Sequence, residues 1–248
     1  MNLLGMIFDN LSTQKNDMKR AFFLFITVFT FTIIVNASHK VFLIHGFAGL
    51  GIELEQIKSA ITIQGYECEI YFYPSLTEDV DEVSKHLIAE IQRQHYDSVS
   101  FVTHSLGALV VRALYGNLKP EMKFPFIHRF VMIASPNQGS PMADFWNQFG
   151  FVKYIAGPNV ENLTTDVKTG APKYAVPTCE IGLIAGVTNK KRGYNILLVG
   201  DNDGLVPKKN AALGNEKDVV YVKSPHISLV FNKKTIKYVV TFLQMGHF

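Results

Sequence analysis

After residue 40 the chain alternates short β-branched or aromatic runs with stretches of helical spacing, and this alternation restricts the fold more than any other feature. The candidate strands are 40–45 (KVFLIH), 67–73 (ECEIYFY), 99–103 (VSFVT), 128–134 (HRFVMIA), 178–185 (TCEIGLIA), 195–200 (NILLVG) and 218–222 (DVVYV). Strands separated by helices pair in parallel through crossovers, so the expected fold class is α/β, a mostly parallel central sheet with helices on both faces. Between the second and third strands, Thr77 precedes Glu78 and Asp79, and apolar residues follow at Val80, Val83, Leu87 and Ile91. That spacing predicts a helix capped by Thr77 with one stripe on the sheet. The run 105–115 is apolar nearly all round and stops at Gly116-Asn117, which predicts a buried helix; TIKYVVTFLQMG near the C-terminus predicts a last one. From Ser135 to about Val176 there is no strand signal, and Phe145, Trp146, Phe149, Phe151 and Tyr154 lie within that segment. It reads either as a small cap over a pocket or as a helical excursion that completes the core.

The chemistry is concentrated where the third strand meets the buried helix, at His104-Ser105-Leu106-Gly107. Serine at such a junction has two roles open to it. It can cap the helix, or, on a strained strand-to-helix turn, it can project as a nucleophile beside the backbone N–H of the next residue, Leu106. The second role needs small residues two positions either side, and the chain has Gly107 after the serine but Thr103 before it. It also needs a base to take the hydroxyl proton and donors for a developing oxyanion.

Suitable partners occur at the ends of other predicted strands. His45-Gly46-Phe47-Ala48-Gly49-Leu50 follows the first strand, and its turn can carry the Phe47 amide toward Ser105 to complete an oxyanion hole with Leu106, leaving His45 a structural role in the loop. Asp203 in GDNDGLVP and His226 in SPHISLV come later, in the chain order Ser, Asp, His. Asp201 competes with Asp203, which is favoured by its closeness to the apolar anchor Leu205-Val206. The Asp201-Asn202-Asp203-Gly204 string lacks the downstream acidic ligands of a calcium loop, and no metal or organic cofactor is expected. His104 is expected to point away from Ser105, and His86, His95 and His128 to belong to the scaffold.

With HGFAGL, VTHSLGALVVR, ASPNQGSPMAD, GDNDGLVP and SPHISLV in this order, the chain from about residue 40 onward resembles the α/β-hydrolase superfamily, and more narrowly the bacterial lipases and lipase-like serine esterases. The resemblance implies a minimal form of that fold lacking the leading strands, with residues 135–176 as cap. It implies a carboxyl-ester hydrolase in which Ser105, Asp203 and His226 form the catalytic triad and the amides of Phe47 and Leu106 the oxyanion hole. The expected acyl pocket is apolar, surrounded by Phe47, Leu50, Leu106 and the aromatic 145–154 segment, which suits hydrophobic acyl esters and lipid-like substrates. A membrane or lipid interface is the further partner implied. A thioesterase or acyltransferase would use the same triad, and a non-catalytic binding protein could keep the same fold.

Met18-Lys19-Arg20, the apolar block AFFLFITVFTFTIIV and the small residues of Val35-Asn36-Ala37 have the outline of a secretory signal, with Met1 and Met18 both available as starts. Residues 1–37 are therefore expected to be a signal peptide, giving a secreted or periplasmic protein from Ser38 onward, or else a retained membrane anchor. Without them 21 basic and 19 acidic side chains remain, since Lys15, Lys19, Arg20, Asp9 and Asp17 are lost from totals of 24 and 21. A chain so nearly neutral has no electrostatic footprint for nucleic acid. The full 248-residue sequence is 48% hydrophobic, which suffices for one full-sized core. Cys68 and Cys179, the only cysteines, lie in strand-like runs and are expected in the core.

Overall fold

The computed structural model describes residues 38–248; the expected signal or anchor lies outside the described residues. Strands β1 (His39–Ile44), β2 (Glu67–Tyr71), β3 (Ser98–His104), β4 (Phe126–Ile133), β5 (Glu180–Val187) and β6 (Asp218–Lys223) form one sheet in the order β2-β1-β3-β4-β5-β6. Every pairing is parallel. Such a sheet is covered on both faces, which is why Val41 to Ile44 are all fully buried.

Successive strand residues point to opposite faces, and two cores result. Phe42, Phe101 and Phe130 pack on one side with the helices Val80–Gln94 and Gly107–Asn117. Val41, Leu43, Val102 and Val131 pack on the other with Glu55–Ile63 and Lys233–Met245. In chain order these helices are α1 (Glu55–Ile63), α2 (Val80–Gln94) and α3 (Gly107–Asn117), followed by α4 (Pro141–Asn147), α5 (Gly150–Ala156) and α6 (Asn159–Asn162) within the 135–176 segment, and by α7 (Lys233–Met245). Residues 38–248 form one compact unit that holds the whole sheet and both cores.

Helix α3 is buried from Gly107 to Leu114, as its apolar composition predicts, and it carries a buried cation. Arg112 donates to the carbonyls of Ala175 at 2.9 Å, Asn137 at 2.8 Å and Tyr174 at 2.5 Å. Burial lowers its guanidinium to about 10, which leaves it charged at neutral pH. Three carbonyl dipoles replace its lost hydration and tie both ends of the 135–176 segment to the central helix.

Two local expectations are corrected. The run 195–200 is not a strand: β5 pairs directly with β6, which leaves no position in the sheet between them. The backbone there is satisfied by a side chain instead, because buried Asn202 accepts from the Asn195 amide and donates to the carbonyls of Asn195 and Gly200. Thr77 does not cap α2. A turn through Pro74 engages its amide and hydroxyl, and Asp79 takes the capping position, accepting from the Asp81 amide at 2.9 Å. Cys68 and Cys179 are free and half-buried, and burial pushes the Cys68 thiol up to about 12.

Candidate active site

Ser105 follows β3 with φ of 51°, a left-handed backbone that a residue with a side chain adopts only under strain. Its amide donates to the Ile133 carbonyl at 2.9 Å, so the neighbouring strand end holds the turn in place. Two glycines make this possible. A Cβ on Gly107 would stand 2.5 Å from the Ile44 carbonyl oxygen, so α3 can start this close to β1 only with glycine there. A Cβ on Gly46 would lie 3.0 Å from the Ser105 Cβ, so the loop after β1 reaches the serine for the same reason. Leu106 occupies the cap position of α3 without a side-chain cap, so the Ser105 hydroxyl is not the helix cap. Thr103, two residues earlier, is fully buried and its hydroxyl has no hydrogen-bond partner among the described residues.

The Ser105 hydroxyl lies 3.0 Å from Nε2 of His226, whose Nδ1 lies 2.8 Å from Oδ2 of Asp203. A carboxylate only accepts, so His226 carries its proton on Nδ1 and leaves Nε2 to accept from the serine. The second oxygen of Asp203 accepts from the amides of Leu205 at 3.0 Å and Val206 at 2.7 Å, while its carbonyl accepts from the His226 amide at 2.8 Å. Serine, aspartate and histidine are all buried, at 8%, 2% and 5% exposure. They come from the loops after β3, β5 and β6, at the carboxyl ends of the strands, where parallel sheets collect their functional side chains. Asp201 is not part of this chain; it accepts from the amide and hydroxyl of Thr188 and from the amide of Asn189.

His45 holds the loop after β1. Its Nδ1 donates to the Gly46 carbonyl at 2.9 Å, and its ring stacks on Tyr73 at 4.2 Å. The Tyr73 hydroxyl donates to the His45 carbonyl at 2.8 Å, and the Tyr73 amide is directed to His45 Nε2 at 3.4 Å rather than to a neighbouring strand, beyond the end of β2 at Tyr71. Phe47 follows in that loop and Leu106 begins α3; among the described residues no hydrogen bond engages either amide. Both remain free to donate, and the Leu106 amide has the partial positive charge of a helix N-terminus.

Sequence reasoning missed several supporting residues. Gly186 in β5 has no room for a Cβ, which would stand 2.6 Å from the Asp203 Cβ. His104 does not turn away from the site: its ring centroid lies 5.1 Å from that of His226, and its Nε2 is 3.4 Å from the His226 carbonyl oxygen. A β-strand periodicity puts residues 104 and 105 on opposite faces, but the left-handed turn at Ser105 breaks that alternation. Burial, with His226 beside it, lowers the His104 imidazole to about 3 from 6.5. The unfolded chain therefore binds the extra proton between those values, so stability present above pH 6.5 is lost as the pH falls toward 3. Unfolding free energies from urea titrations between pH 7 and pH 4 should fall less steeply in His104→Gln than in the wild type, by roughly 1 kcal/mol per pH unit at most, the slope of one proton. Parallel slopes would show that His104 does not carry this term.

The serine opens into a cleft of about 370 Å³ whose walls include Met142, Trp146, Val152, Val160 and Leu163. All five belong to the 135–176 segment. Of the residues expected around an acyl pocket, Phe47 and Trp146 line the cleft, while Leu50 and Tyr154 point to solvent at 69% and 91% exposure. A larger depression beside Phe124, Phe126 and Arg129 lies at the amino ends of β4 and β5, away from this chemistry. Among the described residues no three His, Cys, Asp or Glu side chains cluster as a metal site requires.

The chain is similar in structure to Bacillus licheniformis lipase BlEst2 in its mature form, with a TM-score of 0.61 and 20% identity over 85% of this chain and 93% of that one. It is similar to a carboxylesterase structure from the ammonia-oxidizing thaumarchaeon Nitrososphaera gargenis, with a TM-score of 0.56 and 13% identity over 84% and 91%. The NocB thioesterase domain gives a TM-score of 0.52 and 13% identity over 84% and 94%. No curated protein matches the sequence. Identities this low speak for the fold alone. A family model described as a domain of unknown function, DUF7379, matches residues 40–176, more than half of the chain. With its all-parallel sheet, its strained serine turn and these structural relatives, the protein is built on the α/β-hydrolase fold, and the chain belongs to the DUF7379 family.

Proposed function

We propose that the protein is a serine carboxyl-ester hydrolase acting on hydrophobic acyl esters. The observation that carries this reading is the hydrogen-bonded series from Ser105 through His226 to Asp203, opening into an apolar cleft. Ser105 Oγ attacks the ester carbonyl carbon as His226 Nε2 takes its proton. The amides of Phe47 and Leu106 donate to the oxygen that becomes negative, a contribution of roughly 10²–10³ in rate per donor in such sites. Collapse of the tetrahedral intermediate breaks the bond to the alcohol, which leaves with the proton held by His226. Water then attacks the acyl-serine as His226 again takes the proton, and the carboxylic acid departs with Ser105 restored. Asp203 holds the imidazole in the required tautomer throughout and faces the positive charge formed on it.

The cleft walls favour an acyl chain over a sugar or a charged group, because desolvating a polar acyl substituent there is uncompensated. Hydrolysis of p-nitrophenyl esters from acetate to palmitate, beside acyl thioesters of the same chains, tests the reading. Ester hydrolysis that rises from acetate to longer chains is the expected result. Turnover confined to the thioesters would make the protein a thioesterase, and no turnover on either series would remove the hydrolase reading.

A further inference from the structure

Ile196, Leu197 and Val199 resemble a buried strand in sequence, yet they stand 76%, 78% and 83% exposed. Scattered exposed aliphatics are ordinary, but three within four positions on a fixed loop are not. The loop is built to hold them out. Asp201 clamps its start at Thr188 and Asn189, and Asn202 binds its middle at Asn195 and Gly200. Gly193 packs so closely on Asn202 that a Cβ there would come within 2.2 Å of it. Just before the aliphatics come Lys190, Lys191 and Arg192, all exposed, and none has a carboxylate partner among the described residues. The outward apolar run and the unpaired cations thus occupy one constrained segment.

That segment borders the cleft. The Asn195 side-chain amide donates to the Gly204 carbonyl at 3.1 Å and lies 3.5 Å from the sulfur of Met142, a cleft wall. Leu205 and Ile227, at 44% and 66% exposure, line the same cleft and extend the apolar surface from its mouth. On the cap side, Phe145, Trp146 and Phe149 form a partly exposed ring cluster.

We propose that the 190–199 loop is a docking surface for an anionic lipid bilayer, with Lys190, Lys191 and Arg192 at the headgroups and Ile196, Leu197 and Val199 in the acyl boundary. Cationic side chains gain energy at an anionic surface, aliphatic ones gain it by leaving water, and a segment bearing both fits the boundary between the two. A second copy of this chain is a poorer occupant, because a two-fold contact through the loop would bring both sets of three cations together. This inference rests on the ester-hydrolase reading only for its purpose, the passage of lipid esters from the bilayer into the cleft; the docking itself is read separately.

The test is co-sedimentation of the 38–248 unit, carrying Ser105→Ala so that no lipid is consumed, with phosphatidylcholine vesicles with and without phosphatidylglycerol. Binding to the phosphatidylglycerol vesicles is expected, about tenfold weaker or worse in Ile196→Asp/Leu197→Asp, and reduced toward the phosphatidylcholine level in Lys190→Glu/Lys191→Glu/Arg192→Glu. These side chains are in solvent, so with Ser105 present both variants should keep p-nitrophenyl acetate hydrolysis within about twofold of the wild type. Absence of binding to either vesicle, or binding that the loop variants leave unchanged, would overturn the proposal. So would a dimer in sedimentation velocity that Ile196→Asp/Leu197→Asp dissociates. Vesicle binding without ester turnover would instead sink the ester-hydrolase reading and leave the docking surface standing.

Discussion

Replacing Ser105 with alanine is expected to lower kcat for ester hydrolysis by about 10⁴-fold or more, with KM within a few-fold of the wild type. In the proposed mechanism the substitution removes the atom that bonds to the acyl group, while the cleft walls and both candidate oxyanion amides keep their places. Alanine and serine feel the same steric penalty at a φ of 51°, so the turn is not relaxed by the exchange. Among the described residues the hydroxyl makes a single hydrogen bond, the 3.0 Å one to His226, so urea unfolding of the variant should match the wild type to within about 1 kcal/mol. Steady-state kinetics on the preferred ester, with the unfolding curve as control, checks both parts. A folded alanine variant that keeps more than about a hundredth of the activity would show that Ser105 is not the nucleophile.

Asp203→Asn should cost nearly as much, about 10⁴-fold in kcat, whereas Asp201→Asn should stay within about tenfold. The difference follows from where each carboxylate bonds. Oδ1 of Asp203 is held by two backbone amides, so an asparagine there keeps its carbonyl on them and turns its NH₂ toward His226 Nδ1. Nδ1 must then accept, the ring proton moves to Nε2, and the imidazole can no longer take the serine's proton. Asp201 fastens Thr188, Asn189 and the Asn202 amide and does not touch His226, so its loss loosens a loop without changing the tautomer. The pair is best compared by kcat and by the histidine ring proton signals in NMR. Equal losses from both substitutions would mean that the loop as a whole, and not the Asp203 carboxylate, supports His226.

Much of the scaffold was legible in the sequence because a two-sided parallel sheet marks its strands with uninterrupted apolar runs. Six of the seven expected strands are present within a few residues of their expected limits. The same signal failed at 195–200, where Ile196, Leu197 and Val199 are as apolar as any strand but lie in solvent. Apolar runs report a preference for leaving water, and nothing in a run says whether a sheet position is available. Thr77 and Asp79 show the same limit at shorter range: both can cap, and the turn through Pro74 chose between them.

For the candidate site, the sequence determined the residue types and their order. The strand-to-helix junction at Ser105, the glycines at 46 and 107, and the acidic and histidine loops all belong to strand ends, and parallel connections bring strand ends to one edge. Tertiary structure alone decided which carboxylate meets His226, that His104 lies against it, that Leu50 stays in solvent, and that Arg112 ties the 135–176 segment to α3. Local spacing governs which backbone conformation a segment prefers over a few residues. Which two side chains meet across more than a hundred residues depends on the packing of the whole sheet and its covering helices, and no short window of the sequence contains that information.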